Sequence, residues 1–172
     1  LREVDPARLD PDVVDRLVEA AAAADLSFAR DVAVQHYTEA LELLDRAGEP
    51  AANDERAVRL RIQLARAHMA LAEAGAARLV LRRAADDARA SQSWELLAEV
   101  ALAFPPGFEG VAMAPAADAE QVALRREALA NLPEGPSSQR ARLLGALATS
   151  TYWTRHLEGR PEQFDAMLGE QD

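Results

Sequence analysis

Two short stretches, AVQHYTEA over residues 33–40 and ARLVLRRA over residues 77–84, decide the fold. In both, a small, a large and a small residue stand at relative positions 0, 4 and 7. They are Ala33, Tyr37 and Ala40 in one stretch and Ala77, Leu81 and Ala84 in the other, 44 residues later. This spacing places the three residues on one stripe of an α-helix. Leu124 and Ala128 lie on a later helix, with Ala128 another 44 residues beyond Ala84. The pattern predicts repeated helices that approach closely through small side chains.

The composition of the 172-residue chain points to the same all-α class. Alanine occurs 39 times, whereas isoleucine occurs once and threonine four times, so helix formers dominate and β-branched residues are scarce. The net charge is -10, and all 19 basic residues are arginine. Such an acidic chain lacks the cationic surface that binds nucleic acid. There is no cysteine and no apolar run of about 20 residues, which excludes disulfides and predicts no membrane span. We expect a cytoplasmic protein.

Capping and breaking residues divide the chain into eight predicted helices. They lie near 11–24, 27–47, 54–74, 76–90, 93–104, 118–132, 137–155 and 161–169. The predicted N-caps are Asp10, Ser27, Asn53, Ser93, Asp118 and Ser137, with Pro11 and Pro161 at first helical positions. Gln121 follows Asp118 by three residues, as in a capping box. The predicted stops are Gly48, Gly75, the Pro105–Gly107 stretch, the Pro133–Pro136 stretch and Gly159.

The helices form four pairs, near 11–47, 54–90, 93–132 and 137–169, whose first helices share a second pattern. In the third pair it reads Trp94, Leu97, Ala98 and Ala101, and in the fourth Leu144, Leu147, Ala148 and Thr151. The second pair has Leu64, Ala65 and His68, with Arg61 in place of the first large residue. Leu17, Ala20, Ala21 and Ala24 form a degenerate copy in the first pair.

These patterns resemble those of tetratricopeptide repeats, W-x2-L-G-x2-Y followed by A-x3-F-x2-A. The resemblance implies a single repeat domain over residues 1–172, a right-handed solenoid of about four hairpins with the last truncated. The chain departs from the family in its spacing, near 44 residues rather than 34. It also carries an insert, Pro105 to Ala117, between the helices of the third pair. This insert contains several apolar residues, so it either packs on its own repeat or binds a partner.

A narrower resemblance is to the helical repeat region of large actinobacterial regulators, of the large LuxR type or the antibiotic-regulatory type. It is carried by HYTEALELLDRAGEPAANDERAVRLRIQLARAHMALAEAG over 36–75, by WELLAEVALAF over 94–104, by QVALRREALANLPEG over 121–135 and by SSQRARLLGALATSTYW over 137–153. Those proteins are multidomain and bind ATP, but this chain has no G-x4-G-K-[ST] phosphate loop. Because the chain begins at Leu1, we expect it to be a fragment of a larger protein. The resemblance implies a non-catalytic module for protein interaction in transcriptional regulation.

The residues that could carry chemistry do not form an intact motif. Asp86 and Asp87 begin a DDxxD pattern, but its fifth residue is Ala90, which favours a solvated face. His36, His68 and His156 are too far apart to show metal-ligand spacing. We therefore predict no catalytic residue, no metal site and no cofactor, and we interpret His36 and His68 as packed structural residues.

The solenoid resemblance instead implies a partner-binding concave face along the first helices. The predicted binding residues are Arg59, Ile62, Arg66, Met69, Glu95, Glu99, Arg142, Thr149 and Tyr152. Arginines and acids alternate between repeats, so no single ligand charge is favoured. We expect a protein or peptide partner, or neighbouring domains of the same chain. Phe164, Met167 and Leu168 predict possible self-association through the last helix.

Two other functions stay open at this point. An all-α effector domain would need an apolar cavity between helices with a few convergent polar groups. An enzyme would need a pocket in which His36 or His68 lies within hydrogen-bond reach of a carboxylate.

Overall fold

The structure is a computed structural model that describes residues 11–47, 52–105 and 118–158. Within these ranges the protein contains helices and turns and no strand, which confirms the all-α prediction. The helices are α1 (Pro11–Leu26), α2 (Arg30–Ala47), α3 (Ala52–Ala70), α4 (Ala74–Ala90), α5 (Trp94–Ala103), α6 (Ala119–Asn131) and α7 (Ser138–Glu158). Each matches a predicted helix to within four residues. The predicted helix over 161–169 lies outside the described residues.

The chain divides into two compact units, residues 1–105 and 106–172. The boundary falls inside the third predicted helix pair, so α5 belongs to the first unit and α6 to the second. The first unit has contacts between α1 and α2, α2 and α3, α3 and α4, α4 and α5, and α3 and α5. In the second unit α6 packs on α7. The single repeat domain over 1–172 stays a prediction.

Consecutive helices of the first unit reverse direction through short turns. Three residues separate α1 from α2, α3 from α4 and α4 from α5, so each pair folds back as a hairpin. An ion pair between Arg56, near the start of α3, and Asp15, near the start of α1, brings these two helix ends together.

The stripes of small and large residues that the sequence predicted are buried in the structure, with Tyr37 and Leu81 as their large members. The alanines of these stripes, Ala33, Ala40, Ala77 and Ala84, have no exposed surface. One continuous core joins residues of α1, α2 and α3, from Val14 to Ala67. Because it crosses the boundary between successive hairpins, neither hairpin closes its core alone.

Each of the three described turns of the first unit, between α1 and α2, α3 and α4, and α4 and α5, places a residue other than glycine in the left-handed region. Phe28, Ala72 and Gln92 have φ of 62°, 60° and 54°. In each turn the N–H of the next residue donates to a carbonyl five residues back, as in a Schellman motif. These N–H groups belong to Ala29, Glu73 and Ser93, and the accepting carbonyls belong to Ala24, His68 and Ala88, each at 2.9 Å. Phe28 and Ala72, in the turns inside the first and second hairpins, are 44 residues apart, as the stripes are; Gln92 has the same geometry in the turn from α4 to α5.

We expect Ala72→Gly to stabilise the protein because a Cβ in the left-handed region costs about 1–2 kcal/mol, which glycine avoids. After the loss for glycine's greater freedom in the unfolded chain, the free energy of unfolding should rise by about 1 kcal/mol. Chemical denaturation followed by circular dichroism measures the change. The same substitution at exposed Ala20, inside α1, should lower it by about 1 kcal/mol. A lower free energy of unfolding for Ala72→Gly as well as for Ala20→Gly would contradict the proposed strain at the turn.

Several predicted helix boundaries are wrong for local reasons. Ser27 does not cap α2, because its hydroxyl donates to the carbonyls of Ala23 and Ala24 at the end of α1. Asn53 lies inside α3, which begins one residue earlier. Gly75 lies in the first turn of α4 and does not end α3; the reversal is made by Ala72.

Other predicted caps are confirmed. The Asp118 carboxylate accepts from the N–H groups of Glu120 and Gln121, at 3.0 and 3.2 Å. The Ser137 hydroxyl accepts from the N–H of Arg140 at 3.1 Å. Ser93 occupies the N-cap position of α5, but its side chain makes no capping bond. Asp10 lies outside the described residues.

The predicted inward face of α7 is wrong. Leu144 is 51% exposed and Ala148 is exposed, whereas Leu143 is fully buried. Polar contacts at both ends of this face fix the rotation of the helix. Arg140 donates to the carbonyl of Leu132 at the end of α6, and Arg125 of α6 donates to the Ser150 hydroxyl at 2.9 Å. Positions 140, 143 and 150 lie on one helical stripe, and Leu144 lies about 100° away from Leu143.

Candidate partner-binding surface

The outward side of α3 carries a polar stripe that includes two predicted partner-binding arginines. Glu55, Arg59, Gln63 and Arg66 follow one another at helical spacing. Arg59 pairs with Glu55 at 3.2 Å, and Arg66 donates to the Gln63 side chain at 3.3 Å. Arg59 and Arg66 are both exposed, as predicted. Both guanidinium groups are therefore accessible from solvent on one side of α3.

The placement of Ile62 on the exposed face is wrong, since this residue is only 3% exposed. Helix α3 contacts α2, α4 and α5, so only a narrow stripe of its surface remains open. Ile62 lies outside that stripe. Met69, close to the end of α3, is 38% exposed and can contribute an apolar contact to the surface.

Helix α5 contacts α3 and adds acidic residues to the same unit. Glu95 and Glu99 are exposed and lie one helical turn apart. The arginine stripe of α3 and the acidic stripe of α5 thus belong to neighbouring helices. The exposed surface of this unit therefore carries both signs of charge, in agreement with the alternation seen in the sequence.

The remaining predicted site residues lie in the second unit. Arg142 and Thr149 are exposed on α7, and the Thr149 hydroxyl donates to the carbonyl of Gly145 at 3.0 Å. That bond is the usual back-bond of a helical threonine. The side chain of Tyr152 lies outside the described residues. For Arg142 and Thr149, exposure to solvent is therefore the one property that agrees with the predicted binding role.

Arg61 is the residue whose role the sequence pattern did not reveal. It stands where the repeat pattern has a large apolar residue, and only 7% of its side chain is exposed. Its guanidinium pairs with Asp87 of α4 and with Asp45 of α2, the latter at 3.3 Å. The aliphatic part of the side chain fills the core position, and the two acids neutralise its charge. Arg61 therefore links the second helices of successive hairpins.

The acids of the incomplete DDxxD pattern both pair with arginines. Asp86 accepts from Arg89 at 2.8 Å and is exposed, as expected of a solvated face. Asp87 is only 19% exposed, because it lies between Arg61 and Arg83. The prediction of a solvated face is therefore correct for Asp86 and wrong for Asp87.

His68 does have a carboxylate within reach, and its position gives the contact a structural role. Its Nδ1 lies 2.7 Å from an Oε2 of Glu73, and the two residues are joined by the backbone bond of the α3–α4 turn. The contact between the His68 and Glu73 side chains therefore joins the same two residues as the backbone hydrogen bond of this turn. His36 is half-buried, and its Nδ1 has no partner among the described residues. Across the described ranges there is no group of three or more metal-ligating side chains.

Tyr37 lies among charged neighbours from two other helices. Burial raises the pKa of its hydroxyl, Asp25 of α1 raises it further, and Arg66 of α3 opposes the shift. The folded protein therefore holds this proton more tightly than the unfolded chain does.

We expect the stability to fall as the pH rises above about 10, where the Tyr37 hydroxyl of the unfolded chain ionises first. Below about pH 10 the neutral Tyr37 hydroxyl makes its full contribution to the free energy of unfolding. This contribution is lost as the pH rises from there to the raised pKa of Tyr37 in the folded state. The chain has two tyrosines and no lysine, so few other groups titrate there. Urea denaturation between about pH 9 and 11.5 should show a decline that Tyr37→Phe reduces. An identical decline in Tyr37→Phe would contradict the assignment.

In the described ranges no helix is both long enough and apolar enough to cross a membrane. Comparison of the chain with protein-family models, with curated proteins and with solved structures finds no match.

Proposed function

We propose that this chain is a non-catalytic protein-interaction module of a multidomain transcriptional regulator, built as a tetratricopeptide-like solenoid of helical hairpins. The observation that carries the proposal is the recurrence of one turn geometry at Phe28 and Ala72, with the 44-residue period of the buried stripes. Such repetition is typical of repeat proteins, whose hairpins bury their apolar sides against each other and whose open surface binds partners.

The exposed stripe of α3 supports the interaction role. Arg59 and Arg66 are accessible, and an arginine can bind a carboxylate through two parallel hydrogen bonds. Glu95 and Glu99 on the neighbouring helix offer the opposite charge. A protein segment that carries both acidic and basic residues can pair with the arginines of α3 and with the glutamates of α5. By binding one conformation of a partner or of a neighbouring domain, the module shifts the balance between active and inactive states.

The assignment to a regulator rests on the resemblance of the 36–75, 94–104 and 121–135 segments to actinobacterial regulatory proteins. We expect the partner to be a protein because a net charge of -10 disfavours direct contact with nucleic acid. A cytoplasmic location follows from the same proposal.

Site-specific photocrosslinking in cells tests the proposal. A photoreactive amino acid at Arg66 should capture a defined polypeptide, either another protein or a segment of the same chain. Arg83 is an exposed residue of α4 and provides the matched control position. Capture of one polypeptide at position 66, lost in the presence of Arg59→Glu and absent at position 83, supports docking on α3. Equal capture at both positions, or none at either, counts against it.

A further inference from the structure

The turn between α1 and α2 displays large apolar side chains that have no role in the core. Leu26 is 84% exposed and Phe28 is 81% exposed, while Val32, in the first turns of α2, is 37% exposed. We call these three residues the Phe28 knob. Three such residues within seven positions form a local apolar protrusion, the kind of feature that marks contact sites on proteins.

The turn itself does not require an aromatic residue. Phe28 has a positive φ, and the two turns with the same hydrogen bonds have alanine and glutamine at this place. A bulky side chain in the left-handed region is unfavourable, and its exposure to water adds nothing to the core. The backbone of Phe28 is therefore strained, and its exposed ring contributes no burial energy to offset that strain. Strained residues cluster at functional sites, which favours a contact with a partner as the role of Phe28.

The ring is held in place by its charged neighbours. The Arg30 guanidinium lies over the Phe28 ring, 5.5 Å from its centre, and is itself paired with Asp25. This leaves the other face of the ring available to a ligand. Aromatic residues, phenylalanine among them, and arginine are both enriched in protein interfaces relative to the rest of the surface.

The charge of the first hairpin indicates what kind of partner fits. Residues 11–47 contain eight acids and three arginines, a formal net charge of -5, whereas residues 52–90 contain five acids and eight arginines, a net charge of +3. Asp15 and Asp45 of the first segment pair with arginines of α3, and the hairpin stays acidic without them. Asp31, beside the knob, and Glu39 further along α2 are exposed. A basic segment is therefore attracted to this hairpin, and an acidic segment is repelled.

We propose that the Phe28 knob and the acidic surface of the α1–α2 hairpin bind a basic amphipathic helix of a partner protein. Apolar side chains of that helix cover Phe28 and Leu26, and its arginines or lysines meet the exposed acids. This goes beyond the proposed function, because the surface is distinct from the arginine stripe of α3. The crosslink at Arg66 and the contact at Phe28 can therefore fail independently.

Fluorescence anisotropy with designed peptides tests the proposal on the full chain. The probe is a labelled helical peptide with leucines on one face and arginines elsewhere. The control peptide has the same leucines but carries glutamates in place of the arginines. The arginine peptide should bind and the glutamate peptide should not. Phe28→Gly should raise the Kd at least about tenfold, since the apolar anchor is lost. Raising NaCl from about 50 to 500 mM should weaken binding to the wild type.

Phe28→Gly also removes the backbone strain, so its unfolding midpoint should equal or exceed that of the wild type. Loss of binding therefore cannot be ascribed to misfolding. Ala72→Gly is the matched control, because it relieves the same backbone strain at the equivalent turn without removing an aromatic ring, and it should leave peptide affinity unaltered. Equal affinity of the wild type and Phe28→Gly would overturn the proposal. So would light scattering that shows a dimer dissociated by Phe28→Gly, because a second copy would then cover the knob.

Discussion

Replacing Asp87 by alanine is expected to lower the free energy of unfolding of the first unit by about 3 kcal/mol. The reason is that Arg61 would keep its charge in a site where only 7% of its side chain meets solvent. Asp45, the other partner of Arg61, is 65% exposed and compensates little of the loss. Urea denaturation at neutral pH, followed by the fluorescence of Trp94 in a Trp153→Phe background, reports on this unit.

The matched variant is Arg61→Met, which keeps most of the volume and removes the buried charge. An apolar residue can replace a buried ion pair with little loss, so this variant should remain within about 1 kcal/mol of the wild type. The double variant Arg61→Met with Asp87→Ala should recover most of the stability that Asp87→Ala loses. If the double variant loses the sum of the free energies that the two single variants lose, Asp87 acts independently of Arg61. The link between the hairpins is then not electrostatic.

Leu81→Ala is expected to lower the free energy of unfolding by about 3–5 kcal/mol, a large part of the total for a small domain. Leu81 is the large residue of the second buried stripe and has no exposed surface. Its neighbours on that stripe, Ala77 and Ala84, are too small to fill the cavity left behind. The measurement is the same denaturation experiment.

Leu79 lies on the same helix two residues earlier and is 64% exposed. Leu79→Ala makes the same chemical change outside the core, so it should alter the free energy of unfolding by less than about 1 kcal/mol. Similar losses at both positions would mean that the 44-residue pattern does not mark the core.

Much of the fold could be predicted from the chain alone. The small-large-small spacing around Tyr37 and Leu81 identified buried helix stripes, because a helix of fixed period turns residue spacing into residue direction. Asp118 was predicted as an N-cap by its type and position, since capping depends on bonds within a few residues. Local rules of this kind need no knowledge of neighbouring helices.

The candidate site was less predictable, because the exposure of its residues depends on contacts between helices that are distant in sequence. The resemblance to helical repeats implied the exposure of Arg59, Arg66 and Ile62, but the burial of Ile62 depends on three helices packing around α3. The rotation of α7 was likewise decided by Arg125 and Arg140, whose partners lie on the other side of a helix contact.

The sequence by itself determined that this protein is helical, where most helices lie and which alanines bring them together. Only the tertiary structure decided that Arg61 is buried between two acids and that Phe28 is held outward at a strained turn. Periodicity records which side of a helix is apolar, a property of neighbours along the chain. Burial of a charge or exposure of an aromatic ring depends on groups that are distant in sequence and meet only when the hairpins pack.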